Sequence, residues 1–184
     1  MNQHTGPMQR LFLALWPDDD TRNALSALQA GARGRLVPYA DLHLTLVFLG
    51  QQPLASLPDL TDVLAHLPRG EIEMRLDKVG YFTRNRILWA GSHSLPPALP
   101  ELHKFMMDAL AERGVAWKED GREYSPHITL ARDADAPMDL VFEPFVWRAR
   151  HVALVRSNSQ PQGSRYEVIA SRMLDEDVRL PDPG

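Results

Sequence analysis

Two tetrads of the same form, His43-Leu44-Thr45-Leu46 and His127-Ile128-Thr129-Leu130, each open an apolar, strand-like segment. In a β-strand, side chains i and i+2 point to the same face, so each histidine shares its face with a threonine. The intervening Leu or Ile faces the other way. Each strand therefore offers one imidazole and one hydroxyl side by side.

Two imidazoles on neighbouring strands can flank one substrate and act as an acid and a base. Because the unperturbed pKa of histidine is about 6.5, a neutral imidazole can take a proton from water while an imidazolium gives one to a leaving oxygen. The hydroxyls of Thr45 and Thr129, together with an arginine, would hold the nonbridging oxygens of a phosphate. Arg132, five residues after His127, is the best-placed cation, because a guanidinium fork matches phosphate geometry.

The repetition of the tetrad carries this hypothesis. A single His-x-Thr is common in strands, and a lone histidine there is more often a packed or surface residue. A zinc site is the nearest chemical rival, but neither tetrad has a second His or a carboxylate at metal-ligand spacing, and Thr is a poor zinc ligand. The remaining histidines lack this context and are interpreted as structural or solvent-facing: His4, His66, His93, His103 and His151.

The elements that must position the tetrads follow from apolar periodicity and from Pro and Gly. A helix N-terminus is expected at Asp18 to Asp20, and a short helix at 59–67. Another helix carries the stripe Leu99, Leu102, Met106, Ala109 and Leu110 and ends near Gly114. A turn is predicted at Pro161-Gln162-Gly163. Strands are predicted at 10–16, 43–50, 71–82, 86–92, 127–132, 145–157 and 165–174.

Composition narrows the class of protein. With 184 residues, 44% of them hydrophobic, the chain is expected to form one compact globular domain. It has no apolar run long enough to cross a bilayer and no signal-like start. No cysteine is present, so the cytoplasm is the expected location. A formal net charge of -4 argues against coating long duplex nucleic acid, while a small anionic ligand or a single RNA end stays open.

At this point the sequence resembles the two-histidine (2H) phosphoesterases, and within them the RNA 2′,3′-cyclic phosphodiesterase family, also called 2′-5′ RNA ligases. The resemblance spans about residues 10–174. Besides the two tetrads, it rests on the segments 10–15 (RLFLAL), 41–50 (DLHLTLVFLG), 79–82 (VGYF), 88–91 (LWAG) and 125–132 (SPHITLAR), and on Ser157, Pro161-Gln162-Gly163 and Tyr166.

The resemblance implies an α+β, two-lobed fold in which each lobe is an antiparallel β-sheet backed by helices, with a central catalytic cleft. Residues 1–184 would form a single domain with a flexible tail at 175–184. The implied reaction is hydrolysis of an RNA 2′,3′-cyclic phosphate to a 2′-phosphomonoester, with reverse 2′-5′ ligation as a further activity. His43 would be the proton donor and His127 the proton acceptor, with no metal and no cofactor.

The expected partner is an RNA end or oligonucleotide that carries a 2′,3′-cyclic phosphate, bound by a monomer without a membrane. Tyr124 stands where the family often has Phe, and Tyr124 and Phe48 are the candidates for stacking on a base. Two alternatives stay open. One is a cyclic phosphodiesterase for a small nucleotide such as an ADP-ribose cyclic phosphate. The other is a non-catalytic nucleotide- or RNA-binding module, which is disfavoured because both His and both Thr are intact.

Overall fold

The computed structural model of the protein describes residues 6–118, 123–137, 140–160 and 163–175. His4, the first two residues of the predicted turn at Pro161-Gln162-Gly163, and positions 176–184 of the expected tail lie outside the described residues.

Strands dominate the described residues, and three α-helices accompany them. The helices are α1 (Asp19–Gln29), α2 (Leu57–Ala65) and α3 (Ala98–Glu112). The strands are β1 (Met8–Leu15), β2 (Arg35–Leu36), β3 (Leu44–Pro53), β4 (Ile72–Leu76), β5 (Lys78–Phe82), β6 (Ile87–Gly91), β7 (Ile128–Arg132), β8 (Phe145–Ala149), β9 (His151–Gln160) and β10 (Gly163–Met173).

All strand pairs are antiparallel, and the main sheet has the order β10-β9-β1-β3-β7-β6-β5, with β2 also paired to β7. We call β10, β9, β1 and β3 the first lobe, and β7, β6, β5 and β2 the second lobe. A single residue pair, Leu44 with Ile128, joins the lobes. The predicted α+β class with two antiparallel lobes is therefore confirmed.

Two predicted strands are wrong in extent because each one changes sheet along its length. The predicted strand 71–82 divides at Asp77, and the predicted strand 145–157 divides at Arg150. The first parts, β4 and β8, pair with each other in a separate two-stranded sheet. The second parts, β5 and β9, enter the second and first lobes of the main sheet. Neither Asp77 nor Arg150 is a proline or glycine, so no breaker residue in the sequence marks the change of sheet.

The helices cover one face of the main sheet. The predicted stripe of α3 is confirmed for its five apolar residues, which are buried, whereas Arg113, which the same spacing predicts on the stripe, is half-buried and donates to Asp62. Helix α1 begins at Asp18, whose side chain accepts a hydrogen bond from the Thr21 amide at 2.9 Å, and acidic residues follow in its first turn, where the helix dipole favours them. Helix α1 contacts β7 of the second lobe, whereas α3 contacts β3 of the first lobe. Helices α1 and α3 thus each pack on the lobe to which the preceding strand does not belong, whereas α2 contacts β9 and β10 of the first lobe, which also contains the preceding strand β3.

The opposite face of the sheet carries both tetrads, and its packing in the second lobe depends on a glycine. Gly80 pairs with Trp89 across β5 and β6, and the indole lies directly over the Gly80 backbone. A side chain at position 80 would occupy the space of the Trp89 ring. Glycine here therefore permits a large aromatic ring to lie flat on the sheet.

We predict that Gly80→Ala lowers the free energy of unfolding by about 1–3 kcal/mol, because an added methyl group must displace the indole. Urea denaturation measures this change. Gly6→Ala is the control, since a Cβ at position 6 has no neighbour within 4 Å. Equal midpoints for the two variants would contradict the close contact between Gly80 and Trp89.

Candidate active site

The two tetrads lie on adjacent antiparallel strands, at the residue pair that joins the two lobes of the main sheet in the part of the chain that the structure describes. Leu44 pairs with Ile128, so the register places His43 opposite Thr129 and Thr45 opposite His127. Leu44 and Ile128 are fully buried in the core, and the histidines and threonines on either side of them point to the other face. We call this the site face. The two histidines are diagonal neighbours there, a relation in which Cα atoms lie roughly 7–8 Å apart.

Both imidazoles are held by the same kind of hydrogen bond, from Nδ1 to a backbone carbonyl two residues earlier in the chain. Nδ1 of His43 lies 2.7 Å from the Asp41 carbonyl oxygen, and Nδ1 of His127 lies 2.8 Å from the Ser125 carbonyl oxygen. A carbonyl can only accept, so Nδ1 carries the hydrogen in both rings. Nε2 is therefore the atom that can exchange a proton with a substrate. Nε2 of His43 lies 3.1 Å from the Thr45 hydroxyl.

A β-bulge follows the threonine in each tetrad. In β3, Thr45 pairs with Ala14 and Val47 with Leu13, which leaves Leu46 without a partner in β1. In β7, Thr129 pairs with Trp89 and Ala131 with Leu88, which leaves Leu130 without a partner in β6. A bulge shifts the alternation by one residue. The residue five positions after each histidine therefore returns to the site face, and these residues are Phe48 and Arg132.

Buried glutamines satisfy carbonyl groups that lie near these bulges. Gln29 is buried and donates from Nε2 to the Leu130 and Val37 carbonyls, both at 2.8 Å. Gln52 is also buried and donates to the carbonyls of Leu49, at 2.7 Å, and Ala116, at 2.8 Å. A buried carbonyl without a donor would be destabilising, so these side chains help to keep the bulges in place.

Aromatic rings enclose His43. The ring of Phe12 lies 4.9 Å from the imidazole, Trp16 is stacked on it at 5.7 Å, and Tyr166 meets it edge-on at 5.2 Å. These rings exclude water from the imidazole and so disfavour its charged form. Burial is the largest cause of a pKa for His43 lowered to about 4, and the positive charge of Arg132 adds to it.

Arg22 holds Trp16, one of the rings around His43, in place. Its side chain is buried, and it donates to the carbonyls of Pro17 and Tyr39. The guanidinium lies 5.1 Å from the ring centroid of Trp16, within the range of a cation–π interaction. Arg22 thereby joins the end of β1 to the turn that precedes His43, and burial lowers its own pKa.

The second histidine has a smaller aromatic wall. Phe82 meets the His127 ring edge-on at 5.0 Å, and Trp89 lies 6.1 Å away. The Lys78 ammonium lies 5.4 Å from the Trp89 ring centroid. Burial lowers the pKa of His127 as well, and the charge of Arg132 contributes. Both imidazoles are thus poised to be neutral near pH 7.

Arg132 is the cation shared by the two histidines. Its charge lowers the pKa of His43 and of His127, so the guanidinium lies within electrostatic range of both. Arg132 is half-buried, and it makes no hydrogen bond or ion pair with another described residue. A guanidinium without a carboxylate partner beside two imidazoles provides a binding position for an anion.

The two candidates for base stacking differ in their surroundings. Tyr124 is stacked on His103, with ring centroids 3.9 Å apart and planes 8° from parallel, and its hydroxyl lies 3.4 Å from the Thr45 carbonyl. One face of its ring is therefore already covered by protein, and burial raises its pKa. Phe48 is 55% exposed and lies beside Phe12 on the site face. Phe48 is thus the ring that is more available to a ligand.

The sequence did not predict a role for Arg22 or for most of the aromatic rings around the histidines. These rings are Phe12, Trp16, Phe82, Trp89 and Tyr166. The period-two pattern of β1 could have placed Phe12 on the same face as the histidines, since Phe12 alternates with buried leucines. Trp16, Tyr166 and Arg22 come from other elements, and only the tertiary fold brings them to His43.

The other described histidines lie outside this site. His66 and His93 are exposed and contact Asp62 and Asp77, while His103 stacks on Tyr124. Within the described ranges, no group of three His, Asp or Glu side chains has the arrangement of a metal site. No helix in these ranges is long and apolar enough to span a membrane.

The chain is similar to named phosphodiesterases over most of its length. It is 34% identical over 173 residues to an RNA 2′,3′-cyclic phosphodiesterase of Thermus thermophilus, with 87% of each chain covered. It is 29% identical over 143 residues to the Escherichia coli protein of the same name, with 76% of this chain and 80% of the relative covered.

Solved structures show the same likeness. The apo form of E. coli LigT superposes with a TM-score of 0.78 at 26% identity, covering 92% of this chain and 99% of that one. TT0787 of T. thermophilus superposes with a TM-score of 0.74 at 30% identity, covering 90% and 98%. The family model described as the 2′-5′ RNA ligase superfamily matches residues 17–161. The chain therefore belongs to the 2′-5′ RNA ligase superfamily and, within it, to the RNA 2′,3′-cyclic phosphodiesterase family.

Proposed function

We propose that this protein hydrolyses the 2′,3′-cyclic phosphate at an RNA end to a 2′-phosphomonoester, without a metal ion. The observation that carries the proposal is the arrangement of two imidazoles around one cation. Each Nδ1 of His43 and His127 is held by a backbone carbonyl, so Nε2 is the atom of each ring that can exchange a proton with a substrate. Arg132 lies within electrostatic range of both rings.

In this mechanism His127 is the base and His43 is the acid. His127 takes a proton from water as the water oxygen forms a bond to phosphorus. The bond from phosphorus to the 3′-oxygen breaks on the opposite side, and His43 gives its proton to that oxygen. The product is a 2′-phosphomonoester with a free 3′-hydroxyl, and the two imidazoles have exchanged their protonation states.

Thr45, Thr129 and Arg132 bind the nonbridging oxygens of the phosphate. The threonine hydroxyls are neutral donors, and the guanidinium supplies the only full charge among the three. A cyclic phosphate diester carries one negative charge, so it matches a site that holds one arginine and two neutral imidazoles. The same negative charge raises the pKa of a nearby imidazole, which allows His43 to carry a proton once the substrate is bound.

The family assignment favours RNA over the alternative of a small nucleotide such as an ADP-ribose cyclic phosphate. Competition between such a nucleotide and an oligonucleotide with a cyclic end would distinguish the two substrates. A non-catalytic binding module is disfavoured because both histidines present an Nε2 atom that can exchange a proton with a substrate. We further propose that the protein acts in the cytoplasm, since the proposed substrate is RNA, and that it acts as a monomer, since one chain supplies both tetrads of the site.

We predict that both histidines titrate below pH 6.5 in the free protein, and that His43 titrates near pH 4. Inorganic phosphate should raise both pKa values, since an anion stabilises an imidazolium. NMR of ¹⁵N-labelled imidazoles measures this. His66, which is exposed and remote, is the internal control. An unchanged pKa for His43 in saturating phosphate would contradict a shared phosphate site.

We predict that His43→Ala and His127→Ala each lower the rate by about 10²–10⁴ on a 2′,3′-cyclic nucleotide, measured in EDTA. A second substrate, 3′-deoxyadenosine 2′-(4-nitrophenyl) phosphate, distinguishes the acid from the base, because its nitrophenolate group leaves without protonation. Because this substrate needs no acid, His43→Ala should recover much of its activity on it, while His127→Ala should stay slow.

The wild-type protein must first turn over the nitrophenyl substrate for this comparison. Recovery by His127→Ala instead of His43→Ala would mean that the two roles are reversed. Loss of wild-type activity in EDTA would contradict the metal-independent mechanism.

We predict that Arg132→Ala lowers kcat/KM for a cyclic nucleotide by about tenfold to a hundredfold, because a charge-assisted hydrogen bond contributes about 1.5–3 kcal/mol. Arg35→Ala is the matched control, since Arg35 pairs with Arg132 across the strands but its side chain is exposed and bound to Asp133. Steady-state kinetics of both variants measure the effect of each substitution on the reaction, and thermal denaturation measures its effect on the stability of the fold. Equal kinetic constants for the two variants would indicate that Arg132 is a surface residue without a role.

A further inference from the structure

Two segments that carry the family resemblance, 10–15 and the region of Ser157, meet on the site face of the first lobe. On β1, Arg10, Phe12 and Ala14 alternate on this face, and Ala14 pairs with Thr45. On β9, Val155 pairs with Phe12, and Ser157 follows two residues later on the same face. Tyr166 of β10 pairs with Ser157. The mechanism uses neither Arg10 nor Ser157.

The strands β1 and β9 separate at this point. Their pairing ends at Leu11 with Arg156, and a notch of about 420 Å³ opens beyond it. We call this the polar notch. It is lined by Met8 and by six polar residues, Gln9, Arg10, Gln51, Arg156, Ser157 and Asn158.

The polar notch is rich in donors and carries net positive charge. Arg10 is exposed and makes no hydrogen bond or ion pair with another described residue. Gln9 is only 8% exposed, and its Nε2 has no partner among the described residues. Arg156 is neutralised by Glu167 at 2.9 Å and donates weakly to Gln9. On the site face one unpaired guanidinium thus lies beside the Gln51 amide and the Ser157 hydroxyl, while Gln9 and Arg156 alternate to the opposite face, and the described lining contains no carboxylate.

The direction of the reaction determines which lobe the RNA chain follows. The oxygen that His43 protonates belongs to the terminal ribose, so that ribose lies on the His43 side of the phosphate. Water attacks from the opposite side, next to His127. The rest of the RNA must therefore leave the site over the first lobe.

The first lobe offers a continuous path in that direction. Phe12, Phe48 and Tyr166 lie next to His43 and suit a ribose and a base. Arg10 lies four residues along β1 from Ala14, which corresponds to roughly 14 Å at strand rise. The polar notch is thus separated from the cyclic phosphate by the aromatic residues that the terminal nucleoside would cover.

We propose that the polar notch binds a backbone phosphate of the RNA upstream of the cyclic end, with Arg10 as its cation and Ser157 as a hydroxyl donor. This inference rests on the proposed function and on His43 as the proton donor. On this proposal a protein with a formal net charge of -4 would select an oligonucleotide over a mononucleotide through one additional local cation, without a broad basic surface.

The test compares two substrates with the same cyclic end, adenosine 2′,3′-cyclic phosphate and a tetranucleotide that ends in it. We expect Arg10→Ala to lower kcat/KM for the tetranucleotide by about tenfold, the scale of one charge-assisted contact, and to leave the mononucleotide unchanged. The slope of log kcat/KM against log salt for the tetranucleotide should fall in magnitude by about 0.7, as expected for one lost phosphate contact on a single strand. Ser157→Ala should act in the same direction with a smaller effect.

Arg84→Ala is the matched control, because Arg84 is exposed in the turn between β5 and β6 of the second lobe. The proposal is overturned if Arg10→Ala affects both substrates equally or neither of them, or if Arg84→Ala changes the tetranucleotide to the same extent. If the wild-type protein hydrolyses neither substrate, the proposed function fails. Fluorescence anisotropy with a tetranucleotide that ends in a 2′-phosphate then tests the notch by itself, and equal affinities for Arg10→Ala and Arg84→Ala overturn it.

Discussion

One antiparallel residue pair, Leu44 with Ile128, determines the geometry of the whole site. An antiparallel pair has a local two-fold axis perpendicular to the sheet, and this axis relates the two His-x-Thr units across the junction of the lobes. Both members of the pair are fully buried, so a slip of one residue would turn an entire apolar set out of the core. The register is therefore held by the core, and the imidazoles on the other face are positioned as a consequence. Away from this pair each strand bonds to other groups: the Gln29 side-chain amide donates to the Leu130 carbonyl of β7, and the Lys118 backbone amide donates to the Phe48 carbonyl of β3.

The two halves share a backbone arrangement and differ in chemistry. Each has a bulge after the threonine, and each bulge returns the fifth residue after the histidine to the site face. That residue is Phe48 in the first half and Arg132 in the second. The first half thereby becomes an apolar, aromatic surface, and the second supplies the charge. A symmetric backbone thus holds an asymmetric site, as hydrolysis requires when one side delivers water and the other holds a nucleoside.

The sequence predicted the parts of the site that depend on local periodicity. The repeated tetrads and the alternation of a strand were sufficient to place each imidazole beside its threonine, and the family resemblance predicted the two-lobed fold. Arg132 was chosen for its guanidinium chemistry, although regular alternation would have put a residue five positions after His127 on the opposite face. The bulge at Leu130 shifts the alternation and returns Arg132 to the site face, and no residue of the tetrad predicts a bulge. The breaks at Asp77 and Arg150, and the approach of Trp16 and Tyr166 to His43, depend on partners distant in the chain, which a local pattern does not contain.

The low pKa of His43 makes its role as an acid conditional on the substrate. A pKa of about 4 lies three units below neutral pH, and at about 1.36 kcal/mol per unit, charging the ring there costs roughly 4 kcal/mol. A single negative charge about 4 Å away contributes about 4 kcal/mol at an effective dielectric constant of 20. The two magnitudes are of the same order, so a bound phosphate shifts the imidazole toward its protonated form. The rings of Phe12, Trp16 and Tyr166, which desolvate His43, therefore couple proton donation to the presence of the anion that needs it.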